Sequence, residues 1–184
     1  MTVDGFVAGP NGEQDWVFAS GKGDAEALQQ IVDFSVKLAS SCDTILLGRK
    51  LSHGGFIDYW KNVGENQPEN PWNPFGKLMV DLRKIAFSRT ETAIAGHNVE
   101  VENGDLATVV NELKKQPGKD LLVYGGVEFV SSLESLNLID EYYFIINPIA
   151  IGNGLSIFKE RRLLQLESST AFKHGKIVNK YLPV

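Results

Sequence analysis

The stretch TILLGRK at residues 44–50 decides the fold class. Its first four residues form a short apolar run of strand length, and Gly48 closes that run. A continuous apolar run of this kind is typical of a strand buried on both faces, as in the interior of a parallel sheet. Arg49 and Lys50 follow at once, so a buried strand is predicted to end in a glycine and two basic residues.

Other segments of the chain alternate between strand and helix patterns. Helical spacing follows Asp24 and Asp105, each of which is placed to cap the first turn of its helix. Further patterns predict strands at residues 2–8, 84–88, 121–124 and 141–147, a helix from 126 to about 136, and a terminal hairpin within 171–182 around His174 and Gly175. This alternation predicts an α/β fold in three layers, with a mostly parallel central sheet, helices on both faces and an antiparallel C-terminal hairpin.

The polar segment 62–76 is predicted to be a long loop, because it contains Pro68, Pro71 and Pro74 as well as two glycines. Strong core patterns resume on both sides of it. The 184 residues are therefore expected to form a single domain.

Composition excludes several classes of protein. The net charge of −5 argues against general nucleic-acid binding, which depends on clustered lysine and arginine. No apolar run reaches membrane-spanning length, and the beginning of the sequence lacks a signal-peptide pattern. Cys42 is the only cysteine, and the three histidines lack metal-ligand spacing. We expect a cytoplasmic protein with a small-molecule substrate and without a metal, nucleic-acid or membrane partner.

A second strand-to-helix junction, LVYGGV at residues 122–127, accompanies the first. Open α/β sheets bind ligands beyond the carboxyl ends of their strands, and a helix start there favours an anion. Gly125 and Gly126 would let a pyrophosphate approach the backbone, and Arg49 would bind a phosphate. Each feature alone is equally compatible with a tight turn or with ordinary surface charge, since neither junction carries G-x-G-x-x-G.

Six short motifs occur along the chain in a definite order. They are DGFVA at 4–8 with DW at 15–16, LGRK at 47–50, FSRT at 87–90, VYGG at 123–126, LIDE at 138–141 and NP at 147–148. In this order the chain resembles the dihydrofolate reductase superfamily, and most of all its riboflavin-biosynthesis reductase members, the RibD C-terminal domain. The resemblance covers essentially the whole chain and implies a dihydrofolate-reductase-like fold over residues 1–184.

The resemblance implies an NADPH-dependent reductase that transfers a hydride to a small heterocyclic or ribosylamino-pyrimidine-like substrate, as 5-amino-6-(5-phosphoribosylamino)uracil reductases do. It places the nicotinamide near the strand at residues 7–8, the phosphates near residues 48–50 and 125–127, and the adenosine phosphate side near 88–90. The implied cofactor-binding residues are Val7, Ala8, Gly48, Arg49, Lys50, Ser88, Arg89, Thr90, Gly125, Gly126 and Val127.

Substrate and proton-transfer residues are less well defined by the sequence. Trp16, Phe34 and Tyr59 are candidates for a pocket that takes a flat heterocycle, and the loop through Trp16 is expected to act as a mobile cover. Asp4, Asp15 and Asp24 are candidates to supply the proton, although helix capping is the alternative role for Asp24.

Four departures from the family pattern keep two alternatives open. The family usually has further strand residues before the position of Thr2, Leu51 stands where a threonine is frequent, and Glu128 places an acid beside the glycine pair. No carboxylate follows Trp16 at the spacing that folate reductases use. The alternatives are a genuine dihydrofolate reductase and a non-catalytic nucleotide- or ligand-binding module on the same fold.

The apolar run at residues 142–146 indicates a homodimer, because it is too apolar for a strand with one solvated face. Segment 171–182 is placed to build a sheet edge beside this run, and exposed apolar edges are usually covered or paired. A strand covered by helices on both sides would explain the same residues. Riboflavin-reductase-like relatives pair through this part of the fold, which the resemblance carries over as an expectation.

Overall fold

The computed structural model describes residues 1–18, 24–53, 55–173 and 175–184. Its helices are α1 (Ala25–Ser40), α2 (Arg49–His53), α3 (Phe56–Asn66), α4 (Asn73–Asp81), α5 (Leu106–Lys115) and α6 (Val127–Ser135). Its strands are β1 (Cys42–Gly48), β2 (Arg83–Phe87), β3 (Val99–Glu102), β4 (Asp120–Val123), β5 (Tyr142–Ile146), β6 (Leu164–Ala171) and β7 (Ile177–Pro183). The chain forms two compact units, residues 31–129 and residues 1–30 with 130–184.

The unit of residues 31–129 contains a parallel four-stranded sheet in the order β3-β2-β1-β4. Strand β1 lies inside this sheet, where Leu46 is in register with Ile85 on one side and Val123 on the other. Residues 44–48 of β1 are all buried. The prediction of an interior strand from its continuous apolar run is therefore confirmed.

The core of this unit lies between β1 and helices α3 and α4. Its members are buried apolar side chains: Ala39, Cys42, Ile45, Leu47, Ile57, Trp60, Val63, Phe75, Met79 and Leu82. The apolar residues of α3 recur at helical spacing, which places Ile57, Trp60 and Val63 on the same face. Helices α3 and α4 thus cover the sheet, and Trp60 of α3 and Phe75 of α4 are buried in this core.

The prediction of a long loop over residues 62–76 is wrong. Helix α3 continues to Asn66, and α4 begins at Asn73 with Pro74 in its first turn, where a missing N–H costs nothing. Gly64 and Gly76 are contact points between the two helices, since a Cβ added at Gly64 would lie 2.8 Å from the carbonyl carbon of Gly76.

The other unit contains an antiparallel three-stranded sheet in the order β5-β7-β6. The β6–β7 pair confirms a terminal hairpin, which belongs to this separate sheet, but its first strand begins at Leu164, before the predicted range of residues 171–182. His174, at which the turn was predicted, lies outside the described residues. Strand β6 is one of the two edge strands of the sheet, and its residues 165–171 are all exposed.

The strand predicted over residues 2–8 is wrong. Only two isolated bridges occur there, from Thr2 to Asn147 and from Ala8 to Leu155, so this segment crosses the region without forming a continuous ladder. Both predicted helix caps are confirmed, because the carboxylates of Asp24 and Asp105 accept from backbone N–H groups in the first turns of α1 and α5.

Within the part of the chain that the structure describes, no helix is long and apolar enough to span a membrane. The same residues contain no group of three or more His, Cys, Asp or Glu side chains placed to hold a metal ion.

Candidate functional site

The carboxyl ends of the four parallel strands lie at one edge of their sheet. Gly48 at the end of β1 is in register with Phe87 at the end of β2, and Val123 ends β4 on the other side of β1. From β1 the chain crosses to β2 and β3 and then returns to β4, so the direction of winding reverses between β1 and β4. Ligands of open α/β sheets bind at such a reversal.

The glycine pair lies directly after β4 at this reversal. Gly125 and Gly126 have φ angles of 85° and 83°, a conformation that residues with a Cβ adopt only at a cost. No atom lies within 4 Å of the place where a Cβ on Gly125 would be, so the backbone faces open space. Helix α6 begins at Val127, and its first N–H groups with the helix dipole favour an anion there.

Gly48 has a packing role that its motif does not reveal. A Cβ added to Gly48 would lie 2.7 Å from Cβ of Phe129, closer than such atoms approach. The missing side chain therefore lets α6 pack against the end of β1. The Phe129 ring also contacts Phe87 at a centroid distance of 5.4 Å, which ties α6 to the end of β2.

Charged side chains border the edge on both sides of the reversal. Lys50 Nζ on α2 lies 2.9 Å from Glu128 Oε1 on α6, and both side chains are largely exposed. Arg49 is exposed as well. His53 Nε2 lies 3.8 Å from Glu91 Oε1, which links α2 to the turn that follows β2. Helix α2 thus offers the cations Arg49 and Lys50 at this edge, with the acid Glu128 beside Lys50.

The turn after β2 is held from both sides. The buried Ser88 hydroxyl accepts from the N–H groups of Thr90 and Glu91 at 3.2 and 2.9 Å. The Asn103 amide donates to the carbonyl oxygens of Ser88 and Glu91, each at 2.7 Å. Arg89 and Thr90 are exposed at the tip of the turn. Ser88 therefore shapes the turn, and the exposed pair is what a ligand would meet.

Asp4, Val7 and Ala8 lie in the other unit, where they are bound to the loop at residues 151–155. Asp4 accepts from the N–H groups of Ile151 and Gly152 at 3.0 and 2.8 Å. Hydrogen bonds from the Thr2 side chain and from Gly152 hold the pKa of Asp4 below its usual range. The Val7 N–H donates to the carbonyl oxygen of Leu155, and the Leu155 N–H donates to the carbonyl oxygen of Ala8. These contacts give Asp4 an anchoring role as an ionised carboxylate.

The segment before α1 contains the remaining polar candidates. Trp16 is 7% exposed, and its indole nitrogen has no hydrogen-bond partner among the described residues. The neighbouring Val17 carbonyl accepts from Lys176 at 2.9 Å. Asp24 caps α1, and Asp15 is exposed at the start of a short 3₁₀ turn. Capping thus accounts for Asp24.

The proposed pocket residues differ in exposure. Tyr59 on α3 is 53% exposed, whereas Phe34 on α1 is half-buried. Of the residues implied by the resemblance, one set converges on the sheet edge of residues 31–129: Gly48, Arg49, Lys50, Ser88, Arg89, Thr90, Gly125, Gly126 and Val127.

Sequence reasoning missed two residues of this edge. Asn103, which holds the turn after β2, directly follows β3, a short strand that the sequence pattern did not predict. Tyr124 stands between β4 and the glycine pair and is 37% exposed. Its signal was present, because an aromatic residue at the end of an apolar strand and directly before two glycines is placed at the ligand edge.

Comparison with known proteins identifies the family of this chain. A family model described as the RibD C-terminal domain matches residues 1–178. The chain belongs to the RibD C-terminal domain family. It is 32% identical over 182 residues to YyaP of Bacillus subtilis, an uncharacterized protein, covering 96% of this chain and 88% of YyaP.

Solved structures share the fold at low sequence identity. A protein from Shewanella sp. PV-4 assigned to riboflavin biosynthesis superposes with a TM-score of 0.72 at 19% identity, covering 100% of this chain and 95% of the other. A Thermotoga maritima diaminohydroxyphosphoribosylaminopyrimidine deaminase/5-amino-6-(5-phosphoribosylamino)uracil reductase gives a TM-score of 0.59 at 17% identity, covering 100% of this chain and 54% of that longer one. The RibD-like α/β fold is thereby established.

Proposed function

We propose that this protein is an NADPH-dependent reductase that transfers a hydride to a C=N or C=O bond of a small heterocyclic or ribosylamino-pyrimidine-like substrate. The observation that carries this proposal is the pair Gly125 and Gly126. Both have positive φ, the backbone at Gly125 faces open space, and both lie at the reversal of the parallel sheet where α6 begins.

The residues at this edge fit a phosphorylated dinucleotide. Gly125 leaves room for a pyrophosphate to reach the backbone, and the start of α6 supplies N–H donors and a favourable dipole. Arg49 and Arg89 are exposed guanidinium groups placed after β1 and β2, and Lys50 adds an ammonium group. A guanidinium forms two parallel hydrogen bonds to a phosphate, which favours NADPH over NADH.

When bound, NADPH supplies the hydride from C4 of its reduced nicotinamide. The task of the chain is to bind and orient. The N–H groups at the start of α6 hold the pyrophosphate, and the turn built by Ser88 and Asn103 presents Arg89 and Thr90 to the adenosine phosphate side. Asp4 stays ionised because backbone and side-chain donors stabilise its carboxylate, so it is poorly suited to give up a proton.

Family membership supports a pyrimidine-type substrate. The Thermotoga maritima neighbour is described as a 5-amino-6-(5-phosphoribosylamino)uracil reductase, and the shared fold makes this compound the first candidate for this chain. Fold alone does not determine the substrate, so this choice rests on analogy within the family.

The experiment is an assay of NADPH oxidation with 5-amino-6-(5-phosphoribosylamino)uracil, in parallel with dihydrofolate. We expect oxidation with the uracil compound and poor turnover of dihydrofolate, because no carboxylate follows Trp16 at the folate-reductase spacing. Efficient dihydrofolate turnover would instead identify a dihydrofolate reductase. NADPH binding without oxidation in the presence of either compound would identify a binding module.

We also propose that the protein forms a homodimer through the β5-β7-β6 sheet. Strand β6 offers an exposed edge of eight residues, and Leu163 and Leu166 are 69% and 51% exposed beside and on it. A free edge with apolar side chains is usually paired in native proteins. Two-fold pairing would bury the same patch of both subunits.

A further inference from the structure

Five aromatic side chains pack around one tryptophan in the unit of residues 31–129. We call this group, consisting of Phe56, Tyr59, Trp60, Trp72, Phe75 and Tyr124, the aromatic cluster. The ring of Trp60 lies at the centre, with centroid distances of 4.8 to 6.4 Å to the other five. The members come from α3, α4, the segment before α4 and the end of β4.

The aromatic cluster has a buried side and an exposed side. Trp60 and Phe75 are 8% and 1% exposed, so they belong to the core. Tyr59 and Tyr124 are 53% and 37% exposed and rest on those buried rings. Core packing explains the buried members but not the two partly exposed tyrosines, each of which contacts Trp60.

Both exposed rings are held firmly by their neighbours. Tyr124 lies 5.5 Å from Phe56 and 5.6 Å from Phe75 between ring centroids, and Tyr59 meets Trp60 edge to face at 5.0 Å. Rings fixed in this way lose little freedom when a ligand binds against them. They therefore form a preorganised surface.

The exposed side lies at the ligand edge of the sheet. Tyr124 directly follows Val123, the last residue of β4, and directly precedes the glycine pair. A ring that contacts Tyr124 would consequently sit next to the backbone that we assign to the pyrophosphate. The aromatic cluster therefore adjoins the proposed cofactor site through Tyr124.

We propose that Tyr59 and Tyr124 form a stacking surface for the planar ring of the molecule that accepts the hydride. This inference rests on the proposed function and specifies its substrate class as a flat, uncharged heteroaromatic ring. Aromatic faces attract such rings in offset or edge-to-face arrangements.

The hydroxyl chemistry of Tyr124 agrees with this class. Burial of the Tyr124 hydroxyl, with a smaller effect of Tyr59, raises the pKa of Tyr124 to about 12. The phenol therefore stays neutral at physiological pH. A neutral phenol offers no charge to a phosphate.

The test measures binding of 5,6-diaminouracil, which is planar, and of 5,6-dihydrouracil, whose ring is puckered, by ligand-observed NMR. The proteins are the wild type and the variants Tyr124→Leu, Tyr59→Leu and Tyr124→Phe. We expect the planar probe to bind the wild type more tightly than the puckered one. Each leucine variant should weaken binding of the planar probe about fivefold, whereas Tyr124→Phe keeps the aromatic face and stays within about twofold.

Equal binding of the two probes, or leucine variants that bind the planar probe as the wild type does, would overturn the stacking surface. A leucine variant that dissociates a dimer in sedimentation would also overturn it, because the two rings would then be a subunit contact. Tyr59→Leu lies on the exposed side of α3, so it remains informative if Tyr124→Leu fails to fold. NADPH titration of the same wild-type sample tests the proposed function separately.

Discussion

Lys50 on α2 and Glu128 on α6 form an ion pair, with 2.9 Å between Nζ and Oε1, that joins the helices beginning after β1 and β4. The pair spans the reversal of the parallel sheet, where we place the cofactor phosphates. Both side chains are more than two-thirds exposed, so the pair itself adds little to stability. The pair matters because the Glu128 carboxylate competes with a cofactor phosphate for the ammonium group of Lys50.

Replacement of Glu128 by glutamine is therefore expected to tighten NADPH binding. The substitution removes a negative charge from the first turn of α6 and frees Lys50, and we expect roughly a threefold gain in affinity at low salt, in keeping with the small energy of an exposed pair. Fluorescence titration with NADPH measures it. Glu112→Gln is the matched control, since Glu112 forms an exposed pair with Lys115 on α5. Unchanged or weaker binding by Glu128→Gln would contradict the assignment.

Asn103→Ala should weaken NADPH binding through the turn that it holds. The substitution removes two hydrogen bonds, to the carbonyl oxygens of Ser88 and Glu91, and we expect a loss of roughly 1–3 kcal/mol in unfolding free energy. NADPH affinity should fall more than NADH affinity, because the turn presents Arg89. Asn66→Ala, which removes one exposed amide contact, is the control for urea unfolding and titration. An equal loss of affinity for NADPH and for NADH would show that this turn has no part in recognising the extra phosphate of NADPH.

Because Lys84 is buried, we expect the free energy of unfolding to rise with pH. This buried lysine donates to the carbonyl oxygens of Val80 and Leu82, and burial lowers its pKa from 10.5 to about 8. Between these two values the unfolded chain binds a proton that the folded protein has released, so stability increases as pH rises through this window.

The pH effect is measured by urea unfolding of the wild type and Lys84→Met between pH 7.5 and about 10.5. We expect the wild type to gain up to about 3 kcal/mol relative to the variant over this range. Lys77→Met, at an exposed position of α4, should track the wild type at every pH. A constant difference between the wild type and Lys84→Met would show that Lys84 titrates normally.

The proposed dimer predicts a concentration-dependent mass in sedimentation equilibrium. Leu166→Lys places a charge on the exposed edge strand and should shift the protein toward the chain mass of 20.3 kDa. Leu136→Lys alters a side chain of similar exposure, 47%, outside that strand and should leave the mass unchanged. A wild type at the chain mass across the micromolar range would refute the dimer.

Local patterns predicted the interior of the parallel sheet because burial on both faces leaves a direct mark in the sequence. Residues 45–47 are apolar without interruption, and Asp24 and Asp105 cap the helices that they precede. The segment 62–76 misled the prediction for a physical reason. Its glycines permit two helices to touch, and Pro74 occupies a first turn, yet both residue types usually indicate loops.

The candidate site was predictable in part. The motifs after β1, β2 and β4 implied phosphate contacts, and the parallel strands bring those motifs to one edge. Contacts that depend on tertiary packing were not predictable, such as the approach of Phe129 to Gly48 and the hold of Asn103 on the turn after β2. The roles of Asp4 and Asp24 as anchor and cap likewise required the structure.

The most direct test of the account is NADPH affinity after a substitution at Gly125. Gly125→Ala fills the open space at the reversal and strains a φ of 85°, whereas Gly152→Ala introduces the same methyl group at a φ of 74° into another open site. Both variants bear a similar backbone strain of about 1–2 kcal/mol. We predict that Gly125→Ala loses NADPH binding at least tenfold while Gly152→Ala binds as the wild type does. Equal NADPH affinity of the two variants would contradict the claim that the glycine pair receives the cofactor.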